Sequence, residues 1–109
     1  MLFRSKLVQR ESLEEMAQLV RVPGDHPPAV SPGYGLGLIG DPDGIYGPEF
    51  GHGGAGPGYS LYAGWHRDFS GRRVSAAVFC NSDEMDAARL RHGLLTALWS
   101  ELGETFELN

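Results

Sequence analysis

Tyr34-Gly-Leu-Gly-Leu-Ile-Gly-Asp-Pro-Asp-Gly44 is the stretch from which the fold is read. Tyr34, Leu36 and Leu38 alternate with Gly35, Gly37 and Ile39, a period of two that predicts a strand with its larger groups on one face. Asp41-Pro42-Asp43-Gly44 predicts a turn, because proline pre-sets the first corner and glycine accepts a positive φ. Downstream the pattern repeats. A second strand is expected from about Ile45 to His52, with Pro48 confining its early part to an edge or bulge. Gly53-Gly-Ala-Gly-Pro-Gly58 reads as a tight loop, Tyr59 to Trp65 as a third strand, and Asp68-Phe-Ser-Gly71 as the next turn. Val74 to Asn81 is apolar on both faces, which predicts a central strand covered on both sides.

Helices flank this region. Ser12-Leu-Glu-Glu15 has the form of a capping box, and Leu13, Met16, Ala17 and Val20 follow at helical spacing, predicting a helix over about 12–20. Residues 21–32 hold four prolines and are expected to form an irregular connector. Ser82 or Asp83 is expected to cap a last helix with a Leu90, Leu94, Leu98, Leu102 stripe, flanked by Leu95 and Trp99 and ended by Gly103. The order predicts an α+β fold: an antiparallel sheet of about four strands between an N-terminal and a C-terminal helix. The 109 residues suit a single domain.

Composition narrows the function. Nine Lys+Arg against fourteen Asp+Glu give a net charge of −5, and Lys6 is the sole lysine, so no concentrated basic face is offered to nucleic acid or an anionic membrane. Cys80 stands alone, which excludes an internal disulfide and a multi-cysteine metal cage. No apolar run approaches the roughly 20 residues of a membrane span, and no signal peptide is read at the N-terminus, so a cytoplasmic location is the default expectation.

Several motifs bear on chemistry. Gly35-Leu-Gly37-Leu-Ile-Gly40 matches G-x-G-x-x-G by letter, but a turn with two carboxylates follows where a phosphate site needs a helix N-terminus. Gly58-Tyr-Ser60-Leu-Tyr62 falls one glycine short of a nucleophile elbow, leaving Ser60 a plain strand residue. The histidines at 26, 52, 66 and 92 lack zinc spacing, and no metal or cofactor is expected. Gly51-His52-Gly53-Gly54-Ala55 is the sharpest feature. An imidazole ending a strand beside residues with little or no side chain can relay a proton while a bare amide polarises a carbonyl; the plainer reading is a turn histidine bonded to a nearby carbonyl.

Gly33-Tyr-Gly-Leu-Gly37, Gly51-His-Gly-Gly54, Pro57-Gly-Tyr-Ser60, the strand ending Phe79-Cys-Asn81 and a closing amphipathic helix together resemble the C-terminal part of the serine β-lactamase/penicillin-binding-protein superfamily. The resemblance is to its class C-like branch of esterases, D-aminopeptidases and β-lactamase-related proteins. It covers nearly the whole chain, the proline connector fitting least. It implies that His52 takes the basic position of the third active-site motif, Gly53 the hydroxyl position and Gly54 the glycine. It also implies that the Ala55 amide serves the oxyanion hole and that Tyr59 lines the cleft. The implied chemistry is acyl transfer on a small ester, amide or β-lactam. Two motifs of that family are absent. No serine precedes Lys6 by three positions, Ser70-Gly-Arg-Arg73 offers only an arginine that stays charged, and no Tyr-x-Asn or Ser-x-Asn occurs. The resemblance is therefore to the part of a hydrolase without its nucleophile. Such a chain is expected to be inactive alone and to need a complementing chain.

A second reading is a non-catalytic α+β binding or assembly module whose open sheet edge recruits another chain or a second copy. A third is a small enzyme using His52 as base with Glu49, His66 or Asp68 beside it.

Overall fold

A computed structural model describes residues 7–108, and their side chains up to residue 103. In chain order the elements are α1 (Arg10–Met16), β1 (Val20–Arg21), β2 (Gly33–Tyr34), β3 (Ile39–Asp41), β4 (Glu49–Gly56), β5 (Tyr59–Phe69), β6 (Arg72–Cys80) and α2 (Ala87–Leu108). The strands form one open antiparallel sheet in sequential order, β1 to β6. The α+β class is as read from the sequence; the strand count is six rather than four.

The two extra strands come from places where glycine and tertiary contact override local pattern. Tyr34–Ile39 is two short strands, not one. Gly35 donates to the Leu38 carbonyl at 2.7 Å, and Gly37, at φ 70°, folds the chain back on itself. The first helix runs Arg10–Met16 instead of 12–20, and its N-cap is Gln9 with no side-chain cap, so the Ser12 box does not form. It stops because the Met16 carbonyl accepts from Leu36 N at 3.1 Å, and Val20–Arg21 leaves to pair with β2. Connector residues 22–32 are irregular as expected. They are pinned by Asp41, which is 4% exposed and accepts from Val30 N at 2.8 Å and Ser31 N at 3.0 Å.

The middle of the chain shifts too. β4, the first long strand, starts at Glu49 rather than Ile45, after a turn in which Gly44 N meets the Asp41 carbonyl at 3.3 Å, and runs through the glycines to Gly56. Only Pro57-Gly58 forms the loop, with Gly58 at φ 83°. At the next hairpin Ser70 and Gly71 both have positive φ, 53° and 80°, and Asp68 Oδ1 accepts from Gly71 N at 2.8 Å. Phe69, expected in that turn, is wholly buried in β5, in edge contact with Trp99 at 5.2 Å and His66 at 5.2 Å.

β6 is an edge strand, not a central one. Its Val74, Ala76, Val78 and Cys80 face α2, while Phe79 on the other face is 75% exposed. The last helix begins at Ala87, where Asp86 Oδ1 accepts from Arg89 N at 3.2 Å, so Asp86 is the cap rather than Ser82 or Asp83. Gly103 lies inside α2 and has no positive φ, so it does not end the helix. The expected leucine stripe is offset from the true one. Ala87, Arg91 and Leu95 are buried at 4%, 3% and 2%, whereas Leu90 and Leu94 are 43% and 53% exposed. Aligned at i, i+4 and i+8, the buried trio meets the sheet.

Candidate functional site

The β4–β5 register is set by the two-residue loop: Gly56 pairs with Tyr59, and the ladder runs back through Gly51↔Gly64 to Glu49↔His66. Alternation puts Phe50, His52, Gly54 and Gly56 on one face and Glu49, Gly51, Gly53 and Ala55 on the other. α2 covers the second face. His52 therefore stands on the open one, in an exposed position.

His52 lines a shallow open groove of about 540 Å³ with Leu38, Gly51, Ala63, Trp65 and Ala77. Its Nδ1 lies 2.5 Å from its neighbour's carbonyl oxygen, that of Gly53, and its Nε2 meets the Tyr34 hydroxyl. A carbonyl only accepts, so Nδ1 carries the proton and the bare Nε2 accepts from Tyr34 O–H. The rings stand edge to face, with centroids 5.6 Å apart.

Beyond Gly51, among the described residues, no strand pairs with the outer side of β4. Because Gly56↔Tyr59 closes the hairpin as a hydrogen-bonded pair, Gly54 and His52 also bond β5, and the backbone groups of Gly53 and Ala55 point to the free side. Of the residues singled out from sequence, His52, Gly53, Gly54 and Ala55 thus share one strand. The amide of Ala55 is directed outward, and Gly54 lies on the open face. Tyr59 sits at the hairpin mouth with its ring over Gly56, about four residues or ~13 Å along the strand from His52. It does not line the His52 groove.

The covered face holds a second constellation that was not assembled from the sequence. Glu49 Oε2 lies 2.9 Å from Arg91 Nη1 and 3.2 Å from His66 Nε2. Arg91 Nε donates to the Ala76 carbonyl at 2.8 Å, and its guanidinium carbon stands 5.4 Å from the centre of the Tyr62 ring. The guanidinium has room because Gly64, paired with Gly51, carries no side chain beneath it. A Cβ on Gly64 would lie 3.1 Å from Arg91 Nη2 and 2.7 Å from the Phe50 carbonyl oxygen, and a Cβ on Gly51 would lie 2.2 Å from the Ala63 carbonyl oxygen.

These residues border a cavity of about 280 Å³ under the proline connector, walled also by Pro27, Ile39, Tyr46 and His92. Burial pushes the His66 pKa down; Glu49 opposes that shift and Arg91 reinforces it. Tyr62 is pushed above its usual value, first by burial and then by Glu49. A neutral His66 uses Nε2–H toward Glu49 and leaves Nδ1 bare, and that atom is buried without a partner, as is Arg91 Nη2. Glu49 and His66, offered from sequence as companions of His52, are companions of each other on the opposite face. The signal that could have shown this is the loop length, since a two-residue Pro57-Gly58 loop sets Glu49 against His66.

Ser60 donates to the Met85 carbonyl at 2.8 Å, in keeping with a plain strand residue. No cluster of three or more His, Cys, Asp or Glu able to hold a metal is found among the described residues. Nor is any helix among them long and apolar enough to cross a membrane. No family model, no curated protein and no solved structure matches this chain.

Proposed function

We propose that the chain carries half of an acyl-transfer cleft, the half without the nucleophile, from a β-lactamase-related serine hydrolase. One observation carries the reading: His52 stands beside a free strand edge along which Gly53 and Ala55 direct backbone N–H groups outward, on the side of the sheet that α2 leaves open. A substrate carbonyl set against that edge has a backbone donor for its oxygen at Ala55. Such a donor, placed where charge develops, is worth about 10²–10³ in rate. The His52 imidazole is held beside that edge by Tyr34 at Nε2 and by the Gly53 carbonyl at Nδ1.

The serine arrives on a complementing chain. Its Oγ bonds the carbonyl carbon, the alcohol or amine leaves with a proton, and water releases the acyl group in a second step. Substrates are small esters, amides or β-lactams.

The test is hydrolysis of a chromogenic β-lactam and of a short-chain nitrophenyl ester. The chain alone is expected to give no turnover. Mixed with a chain supplying Ser-x-x-Lys and Tyr-x-Asn it is expected to give activity that His52→Ala removes. Turnover by this chain alone that survives His52→Ala overturns the reading.

A further inference from the structure

We propose that this chain forms a two-fold dimer in which β6 pairs antiparallel with β6 of a second copy, making one sheet continuous across both. This stands apart from the acyl-transfer reading and uses the opposite edge of the sheet.

Both hairpins that bound β5 set the same parity. From Gly56↔Tyr59 and from Phe69↔Arg72, with the bulge between His66 and Phe69 absorbing one residue, the pairs that bond β5 to β6 are His66↔Val74, Gly64↔Ala76, Tyr62↔Val78 and Ser60↔Cys80. Ser75, Ala77 and Phe79 therefore turn their N–H and C=O groups outward, and no strand pairs with them among the described residues. Exposed edges in monomers are blunted by lysine, proline, charge or a bulge. The run Ser75-Ala-Ala-Val-Phe-Cys80 has none of these, the bulge being on the β5 side.

What covers this edge is argued from its self-complementarity. With Val78 on the two-fold axis, Phe79 falls opposite Ala77 of the second copy, and both residues carry outward backbone groups, as a hydrogen-bonded antiparallel pair requires. The small Ala77 leaves space for Phe79, which is 75% exposed.

α2 extends the match. Ala88 and His92 border the cavity on the β4 side of the helix. At 100° per residue, Leu90 and Leu94 then emerge on the other flank, above the β6 edge. They are 43% and 53% exposed. Joining two β6 edges sets the two flanks side by side, so the leucines pack together while the strands bond.

Sedimentation velocity and amide hydrogen exchange on the full chain test this. Expected is a mass twice 11.8 kDa, with the Ala77 and Phe79 amides becoming slow to exchange as the dimer forms. Ala77→Lys and Leu94→Glu each place like charges across the axis and are expected to weaken the dimer at least about tenfold while far-UV circular dichroism is retained. A monomer over the whole concentration range, including one that instead binds a different chain at this edge, overturns the proposal. So does a dimer whose Ala77 and Phe79 amides exchange freely, or one indifferent to both single-charge variants.

Discussion

Replacing Glu49 by leucine is expected to cost more stability than replacing its partner Arg91 by methionine. Both changes break the same 2.9 Å ion pair, but they strand different groups. Without Glu49, Arg91 remains charged with a side chain only 4% exposed, and the His66 Nε2–H loses its acceptor as well. Removing one member of a buried pair costs about 3–5 kcal/mol, and the 24% exposure of Glu49 sets the expectation near the lower end, about 3 kcal/mol. Without Arg91, Glu49 turns to water through that same exposure and methionine keeps most of the packing, so about 1–2 kcal/mol is expected. In the double variant no charge is stranded, and its loss should fall short of the sum by about 1–2 kcal/mol. Urea denaturation followed by tryptophan fluorescence gives these values from midpoints, provided the slope is unchanged. Strictly additive losses, or Arg91→Met costing as much as Glu49→Leu, would refute the assignment of a buried, mutually dependent cluster.

Acid should act through His66. Its folded-state pKa lies below the ordinary 6.5, so the unfolded chain binds the extra proton first. Stability is then full above about pH 6.5 and declines as the pH falls toward the lowered value. In His66→Phe this acid-side slope should flatten in urea midpoints taken from pH 7.5 to 5, whereas an unchanged slope assigns it elsewhere. Asp41→Ala removes two charge-assisted bonds to the connector, at Val30 and Ser31, and is expected to cost about 2–4 kcal/mol. Hydrogen exchange should show those two amides opening first; if they stay protected, Asp41 does not hold the connector. Gly64→Ala forces its Cβ toward the Phe50 carbonyl and the Arg91 guanidinium and is expected to cost about 1–3 kcal/mol, read by thermal unfolding. A neutral outcome would mean that the β4–β5 approach is looser than described.

Local chemistry made much of the fold legible. Asp41-Pro-Asp-Gly44 and Ser70-Gly71 announce their turns, and the switch from period 3.6 to period 2 announces α+β. The glycines of 53–56 read as a loop because their composition favours one. They belong to a strand kept bare, and on the same strand Gly51 faces Gly64; Gly64 leaves room for the Arg91 guanidinium and Gly51 for the close β5 backbone. Nothing local records that need. The offset in α2 has a similar origin. Leu90 and Leu94 look like core, but the sheet calls for the Ala87, Arg91, Leu95 row, because an arginine there satisfies Glu49 and the Ala76 carbonyl. A helical arginine reads as solvated until its partner on another element is known. His52 was legible as a residue, whereas its tyrosine partner, 18 residues away, emerges only from the β2–β3–β4 register.

Backbone amide chemical shifts during titration with a short-chain nitrophenyl ester and with a β-lactam test the central claim most directly. Saturable shifts at Gly53 and Ala55, together with the His52 ring and the Tyr34 resonances, are expected, and His52→Ala should diminish them. Shifts confined to Glu49, Tyr62 and His66 around the cavity under the connector, or none anywhere along Gly53–Ala55, would contradict it.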